Sequence, residues 1–431
     1  MKVLLVAHGY PPELVGGTEK SVQALAHGLA ARGVEVVVVA GSIEHEEGFR
    51  TSTADDGGVR VIRIHRADLF FDHWQKSASA RRIAWEGIPA VVTLHDFWTT
   101  CLINFRVRPD TLEFCEVPLG PTPCLDCAAL IPPRTPWVAR EQQMMALFQR
   151  KEELARELLL ARIVIAPSRS HARVVERFLG LGEGALGVRA VPHGRDLGLR
   201  AVEPPAPPGD GNRLVLGSWS NLHPVKGFDL VLAAIRALPE PDRVTLHVAG
   251  GGVLREYEAQ LVELARDLDV TFHGSFAVDQ LDRHPVANVH AMVSGTRAEE
   301  SWGLVVDEAA ALRLPMVLPR SGAFPERLAE GAGVLFYEPR DAVSLAGVLR
   351  RLLDEPGLLP SLRDTLPPLE QISPSVEAHV AELLGLYREA ADAGAPERPA
   401  EEWWRDRMQR QEEESWDASL SGTPAEGLGF A

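Results

Sequence analysis

Short runs of β-branched apolar residues alternate along the chain with segments whose apolar positions recur every three or four residues. Residues 3–7 read as a strand, 18–32 as an amphipathic helix, and 34–40 as a second strand after the break at Gly33. Further strands are expected at 59–64, 90–94 and 162–166. The Val-rich runs are nearly continuous, as in strands buried on both faces, so a parallel sheet covered by helices is expected. The stretch Pro204-Pro205-Ala206-Pro207-Pro208-Gly209 interrupts every period and reads as a linker. Beyond it the alternation restarts, with strands expected at 213–219, 244–249, 270–272, 290–294, 316–318 and 333–336. Helices are expected over 228–238, 256–268 and 304–313, and one more over 376–390. The pattern predicts two similarly built α/β domains, 1–203 and 213–375, joined by a hinge at 204–212. A helix over 376–392 and a tail over 393–431 follow.

Length and charge narrow the class. With 431 residues, two or three domains can each bury a core. The balance of 44 Lys+Arg against 60 Asp+Glu gives a formal net charge of −16, which excludes non-specific wrapping of nucleic acid, since that requires surplus cations. No run approaches the roughly 18 apolar residues of a membrane span. The opening apolar run of residues 3–7 is too short for a signal peptide and continues into His8-Gly9-Tyr10-Pro11, so a cytoplasmic location is expected. The basic amphipathic stretch 140–162 permits peripheral membrane contact, although a solvated helix face explains it as well. From Gly394 onward the chain holds nine acidic and four basic residues and three of the nine tryptophans, Trp403, Trp404 and Trp416. That tail reads as peripheral, docking on the outer surface or joining a second copy of the chain.

Three segments carry candidate chemistry. Gly16-Gly17-Thr18-Glu19 lies between the first strand and the first helix, where bare backbone and a helix N-terminus suit an anion. It lacks the GxGxxG pattern of dinucleotide binding. In the second half, Ser220-Asn221-Leu222-His223-Pro224-Val225-Lys226-Gly227 links a strand to a helix and presents a flexible cation suited to phosphate oxygens. Glu300 and Glu308 are separated by seven residues, with Gly303 opening a helix between them. The free amides of residues 303–305 face an anion with the helix dipole behind them, and Glu308 can accept hydrogen bonds from vicinal hydroxyls.

Taken in order, these motifs resemble the large retaining glycosyltransferase family 4, of the GT-B fold, across residues 1–390. The resemblance rests on Gly16-Gly17, Thr93-Leu94-His95-Asp96, Ala166-Pro167-Ser168, Val191-Pro192-His193-Gly194, Lys226-Gly227 and Gly250-Gly251-Gly252. Phe272-His273-Gly274, the Glu300–Glu308 segment and Pro315-Met316-Val317 complete it. It implies an α/β chain with two Rossmann-like parallel-sheet domains facing a cleft and a C-terminal helix crossing back. A sugar would pass from a nucleotide diphosphate sugar to an envelope polysaccharide, glycolipid or small-molecule acceptor. By the same resemblance, Lys226 neutralises the donor diphosphate, with Asn221 beside it, and the amides of Gly303, Leu304 and Val305, next to Trp302, hold the distal phosphate. Glu308 binds the ribose, Glu300 a hydroxyl of the transferred sugar, and His95 lies against that sugar. Gly16 and Gly17 lie near the phosphate or acceptor, and Gly274-Ser275 near the base. Substitution occurs on the face of the leaving group, with no protein nucleophile, so electrostatic stabilisation of the departing diphosphate is the main catalytic term. The same resemblance implies no Mg²⁺ requirement.

The chain departs from that pattern in three places. Ser220-Asn221 stand where the family has Gly-Arg, so one cation is missing, and Arg297 or another basic group is a candidate replacement. His193 stands where Asn is usual, and only residues 69–74 and a short basic helix precede Gly87-Ile88-Pro89, where the family has another strand. These departures leave open a catalytically silent sugar-nucleotide-binding scaffold, or transfer to a thiol-type acceptor.

Cys101, Cys115, Cys124 and Cys127 fall in a Pro-rich insertion over 99–136, with 13, 8 and 2 residues between successive cysteines. Four clustered thiols in a reducing compartment suit a structural Zn²⁺, with an iron–sulfur centre, disulfides or free buried thiols as alternatives. The expected role is to shape the acceptor side of the cleft.

Overall fold

The computed structural model describes residues 1–44, 50–65, 87–119, 124–127, 154–155, 157–179, 184–206, 208, 213–252 and 254–395. The segments expected at 69–74 and 140–153, much of the 204–212 linker and the tail beyond Ala395 lie outside the described residues.

The N-terminal half opens with β1 (Lys2–Ala7), α1 (Gly17–Ala30) and β2 (Glu35–Gly41), followed by β3 (Arg50–Asp56) and β4 (Val59–His65). These strands form a four-stranded sheet in the order β1-β2-β4-β3. β1, β2 and β4 pair in parallel, and β3 runs antiparallel along β4 from Arg50↔His65 to Asp56↔Val59. Sequence pattern does not predict β3, because Arg-Thr-Ser-Thr-Ala-Asp-Asp has no apolar face. It is mostly exposed at the sheet edge, where polar side chains discourage pairing with another chain. A second parallel sheet holds β5 (Val91–Thr93), β6 (Ile163–Ala166) and β7 (Arg189–Ala190), with α2 (Arg169–Leu179) following β6.

The C-terminal half is one six-stranded parallel sheet. Its strands are β8 (Leu214–Trp219), β9 (Val244–Ala249), β10 (Asp269–Phe272), β11 (Ala291–Val293), β12 (Met316–Pro319) and β13 (Val334–Tyr337). The order is β10-β9-β8-β11-β12-β13, the doubly wound order in which the chain reverses direction between β8 and β11. Helices α3 (Phe228–Arg236), α4 (Arg255–Leu264) and α7 (Ala342–Asp354) cover one face, around Leu214, Leu216, Val231 and Leu349. The other face packs α5 (Leu304–Ala311) and the short α6 (Phe324–Arg327) around Met292, Val306, Leu318 and Phe324. Burial on both faces is why these strands read as continuous apolar runs.

After α8 (Leu358–Thr365) and α9 (Leu369–Ile372), the helix α10 (Val376–Ala393) returns to the N-terminal half. Ser375 caps it, its Oγ accepting from the Ala378 amide at 3.1 Å. Val380 and Leu384 join the core around Ala26, Leu29 and Val38, while Leu383 and Ala390 join Ile163, Ile165 and Val191. One helix therefore seals both N-terminal sheets. It docks at Gly194, where a Cβ would lie 2.6 Å from His379 Cβ and 2.7 Å from the Ser375 carbonyl oxygen.

Candidate active site

In a doubly wound sheet, ligands bind outside the carboxyl ends of the strands where the order reverses. Here the loops leaving β8 and β11 carry Lys226 and Glu300, so the topology brings together two groups 74 residues apart. Lys226 ends a single 3₁₀ turn, Pro224–Lys226, started by His223, whose Nδ1 accepts from the Val225 amide at 3.2 Å. Gly227 then turns into α3 at φ 65°, and a Cβ there would lie 1.8 Å from the Gly295 carbonyl oxygen. Only a glycine with left-handed φ lets the two loops approach so closely.

The Lys226 ammonium donates to Glu300 Oε1 at 2.7 Å, and the Thr296 hydroxyl donates to the same oxygen at 2.9 Å. Both charged side chains are largely but not wholly buried, at 23% and 17% exposure. They are thus within reach of solvent. Asn221 is exposed and supplies no charge. Arg297, the candidate replacement for the missing cation, is committed elsewhere: it forks onto Asp229 at 2.8 and 2.6 Å and also donates to the Pro224 carbonyl at 2.7 Å. Burial alone would raise the Asp229 pKa, but hydrogen bonds from Arg297 and Tyr257 outweigh it and hold the carboxyl below its ordinary range. Arg297 is therefore a brace beneath the Lys226 turn.

Glu308 lies in α5, buried to 6% exposure. Trp219, at the end of β8, donates from Nε1 to Glu308 Oε2 at 2.9 Å, and Arg195 approaches Oε1 at 3.3 Å. Burial raises the Glu308 pKa, opposed by Arg195 and by the indole hydrogen bond. Neither partner is legible in the sequence, because they lie 89 and 113 residues away with no local pattern linking them. Gly303 caps α5 at φ 80° with no side-chain cap, so the first amides of the helix have no intrahelical partner. The Trp302 ring is instead built into the core. The Arg327 guanidinium lies 3.9 Å from its centroid, its Nε1 donates to Asp307 at 3.3 Å, and Arg327 is ion-paired with Asp307. What Trp302 offers a ligand is backbone.

The N-terminal half meets this site at Ser301. Its hydroxyl donates to the His95 carbonyl at 2.8 Å, and its own carbonyl accepts from the Ser168 hydroxyl at 2.8 Å. The His95 ring stacks on His193 at 5.3 Å and 4°, and His193 in turn lies 6.3 Å from Trp302 and 6.2 Å from His379. Burial, with His8 nearby, pushes the His95 pKa down to about 4, so the ring is neutral at pH 7. A Cβ on Gly17 would lie 2.7 Å from Leu304 Cδ1, which brings the Gly16-Gly17 turn against the start of α5. Glu19, one turn on, pairs with His8 at 2.5 Å. Gly274 and Ser275 are exposed, the Gly274 carbonyl accepting from the Gly250 amide at 2.8 Å. A groove of about 560 Å³ lined by Arg200, Glu203, Asp282, Arg283 and His284 includes none of these groups.

The four cysteines also converge, lining one cavity of about 20 Å³. The expected zinc centre nonetheless gains no support: among the described residues no group of three or more His, Cys, Asp or Glu is placed to hold a metal ion. Arg106, fully buried, lines the same cavity. Burial raises the Cys101 thiol and pushes Cys127 up to about 11, so both are protonated at pH 7. No helix among the described residues is long and apolar enough to cross a membrane.

Comparison with known proteins follows the same lines. Residues 213–355 match the family described as Glycosyl transferases group 1. Over 162 residues the chain is 35% identical to the GDP-mannose-dependent alpha-(1-6)-phosphatidylinositol monomannoside mannosyltransferase of Mycolicibacterium smegmatis, covering 34% of this chain and 41% of that protein. It thus spans about two fifths of the length of that mannosyltransferase. A longer match, 27% identical over 387 residues, covers 83% of this chain and 87% of glycogen synthase from Mycobacterium tuberculosis. Among solved structures, sucrose-phosphate synthase from Thermosynechococcus elongatus superposes with a TM-score of 0.60 at 21% identity, over 91% of this chain and 99% of that one. Anabaena HepE in complex with UDP and glucose does so with a TM-score of 0.56 at 17% identity, over 90% and 100%. The chain has the GT-B fold, and its residues 213–355 match the group 1 glycosyl transferase family.

Proposed function

We propose that the protein is a retaining glycosyltransferase that moves a hexosyl group from a nucleoside diphosphate sugar to a hydroxyl of a glycan, glycolipid or small-molecule acceptor. The observation that carries this reading is the convergence of Lys226, Glu300 and the start of α5 at the strand switch point, with Glu308 one turn deeper. In the proposed reaction Lys226 leaves Glu300 to neutralise the diphosphate. The amides of Gly303, Leu304 and Val305 hold the distal phosphate, and Glu308 accepts from the ribose hydroxyls. Glu300, once released, accepts from a hydroxyl of the transferred sugar beside His95. The bond from the anomeric carbon to the diphosphate oxygen breaks as the acceptor oxygen bonds on the same face. The acceptor proton passes to the departing diphosphate oxygen, and the fixed charges stabilise the negative charge that develops there. Names among the relatives, a GDP-mannose-dependent mannosyltransferase and a glycogen synthase, support a hexosyl donor and a carbohydrate-bearing acceptor.

The test is donor hydrolysis and transfer with UDP-glucose, UDP-N-acetylglucosamine, GDP-mannose, dTDP- and ADP-sugars, followed by NMR of the first-formed product. Retention of the donor's anomeric configuration is expected. An inverted product, or a folded protein that binds no nucleoside diphosphate, overturns the reading.

A further inference from the structure

The cysteine-bearing segment belongs to the N-terminal half, yet it reaches the Lys226 turn of the C-terminal half. Phe105 lies with its ring centroid 5.9 Å from the Lys226 ammonium and 5.6 Å from the ring of His223, the residue that caps the turn. Val107, 1% exposed, forms one apolar cluster with Val225 and Ala298, and Phe105 packs against it. Val225 immediately precedes Lys226, and Ala298 lies two residues before Glu300. The cluster therefore grips both loops of the candidate site from the opposite half of the molecule.

The segment is stiff enough to act as a reference. Arg106, between these two residues, is fully buried. It donates to the carbonyls of Thr100, Cys115 and Val117 at 2.7, 2.7 and 2.6 Å, and its guanidinium lies 3.5 Å from the Phe178 ring centroid. A bridge between Val107 and Phe114 closes the turn, and Glu113 pairs with Arg340 of the C-terminal half at 3.1 Å.

We propose that Phe105, held by Arg106 and Val107, is a positioning residue that presents the Lys226 ammonium to the donor diphosphate. The proposal rests on the glycosyltransferase reading and deepens it. An aromatic face attracts an ammonium through its quadrupole without carrying a negative charge. Unlike Glu300, it does not compete with a phosphate for Lys226, and the ammonium can exchange Glu300 for the diphosphate while staying against the ring. Lys226 has a long, rotamer-rich side chain, and the loop has Asn221 where a second cation is usual, so restricting this one cation matters more here.

Calorimetry on the full chain tests this with UDP, GDP, dTDP and ADP as diphosphate probes and the matching monophosphates as controls that lack the distal phosphate. Phe105→Leu keeps an apolar side chain and removes the aromatic face. It is expected to weaken diphosphate binding roughly three- to tenfold while leaving monophosphate binding within about twofold. Phe105→Tyr should restore binding, and Phe105→Leu should add nothing in a Lys226→Ala background. Equal weakening of both probe classes, or none, overturns the positioning role while leaving the proposed function standing. A folded wild-type chain that binds none of the four diphosphates overturns the proposed function itself.

Discussion

Lys226 is the residue on which the proposed chemistry leans hardest. Asn221 in the same loop is neutral, and Arg297 is held by Asp229 and the Pro224 carbonyl. Lys226→Ala is therefore expected to lose about 2–4 kcal/mol of transition-state stabilisation, the range seen when one preorganised electrostatic contact is removed. Donor-hydrolysis kinetics measure it as a fall in kcat/KM of roughly 30- to 1,000-fold. A loss under threefold would place the diphosphate elsewhere. Lys226 and Glu300 stand out in the sequence because they occur in ordered motifs. Arg195, Trp219 and Phe105 do not, because their roles come from partners brought close only by folding. Trp302 shows the converse, a motif residue whose side chain packs in the core against Arg327.

At the level of elements, the parallel strands were legible because burial on both faces demands continuous apolar runs. β3 was not, since its pairing with β4 is made by backbone and its side chains are polar. The last helix was legible from its spacing, but its destination was not. α10 reaches both N-terminal sheets because Gly194 admits the helix start without a side chain in the way. Gly194→Ala would place a methyl carbon 2.6–2.9 Å from His379 Cβ, the Ser375 carbonyl oxygen and Val376 Cα. Two of those three atoms are backbone, so the helix must shift. A destabilisation of about 1–3 kcal/mol is expected, typical of overpacking. Urea unfolding measures it, and an unchanged midpoint would mean that α10 docks less tightly than its contacts indicate.

Across the whole molecule, several buried histidines are lowered from their ordinary range, and two of them, His95 and His193, touch the C-terminal half at Ser301 and Trp302. His95 and His171 are pushed down to about 4 by burial, and burial likewise lowers His193 and His379. Arg195 and Arg327 add to the effect on His193, and Glu19 opposes it at His95. A histidine whose folded pKa lies below the unfolded value of 6.5 is neutral when folded and takes up a proton on unfolding. The unfolded state then binds more protons, and stability falls as pH drops from about 6.5 toward 4. Glu299 and Glu308, raised by burial, work in the opposite sense above 4.5, but His223, His247, His284 and His290 are lowered as well, so among the described residues two such carboxyls stand against eight imidazoles. The urea midpoint is therefore expected to be lower at pH 5 than at pH 7, and His193→Asn should flatten that slope. A midpoint independent of pH would show that these rings are solvated in solution.

Sequence by itself determined the alternation of strands and helices, the division into two α/β halves and the motif residues Lys226, Glu300 and Glu308. Each of these is written locally, in burial periodicity or in residues a few positions apart. Tertiary structure alone decided that the β8–β11 reversal brings Lys226 onto Glu300, that Glu308 is held by Trp219 and Arg195, and that Arg297 braces the turn instead of facing the cleft. It also decided that the cysteine segment presses Phe105 onto the Lys226 turn. The physical reason is common to all four. A strand order or a side-chain contact between residues tens to hundreds of positions apart depends on how buried surfaces fit together, and no short stretch of sequence contains that information.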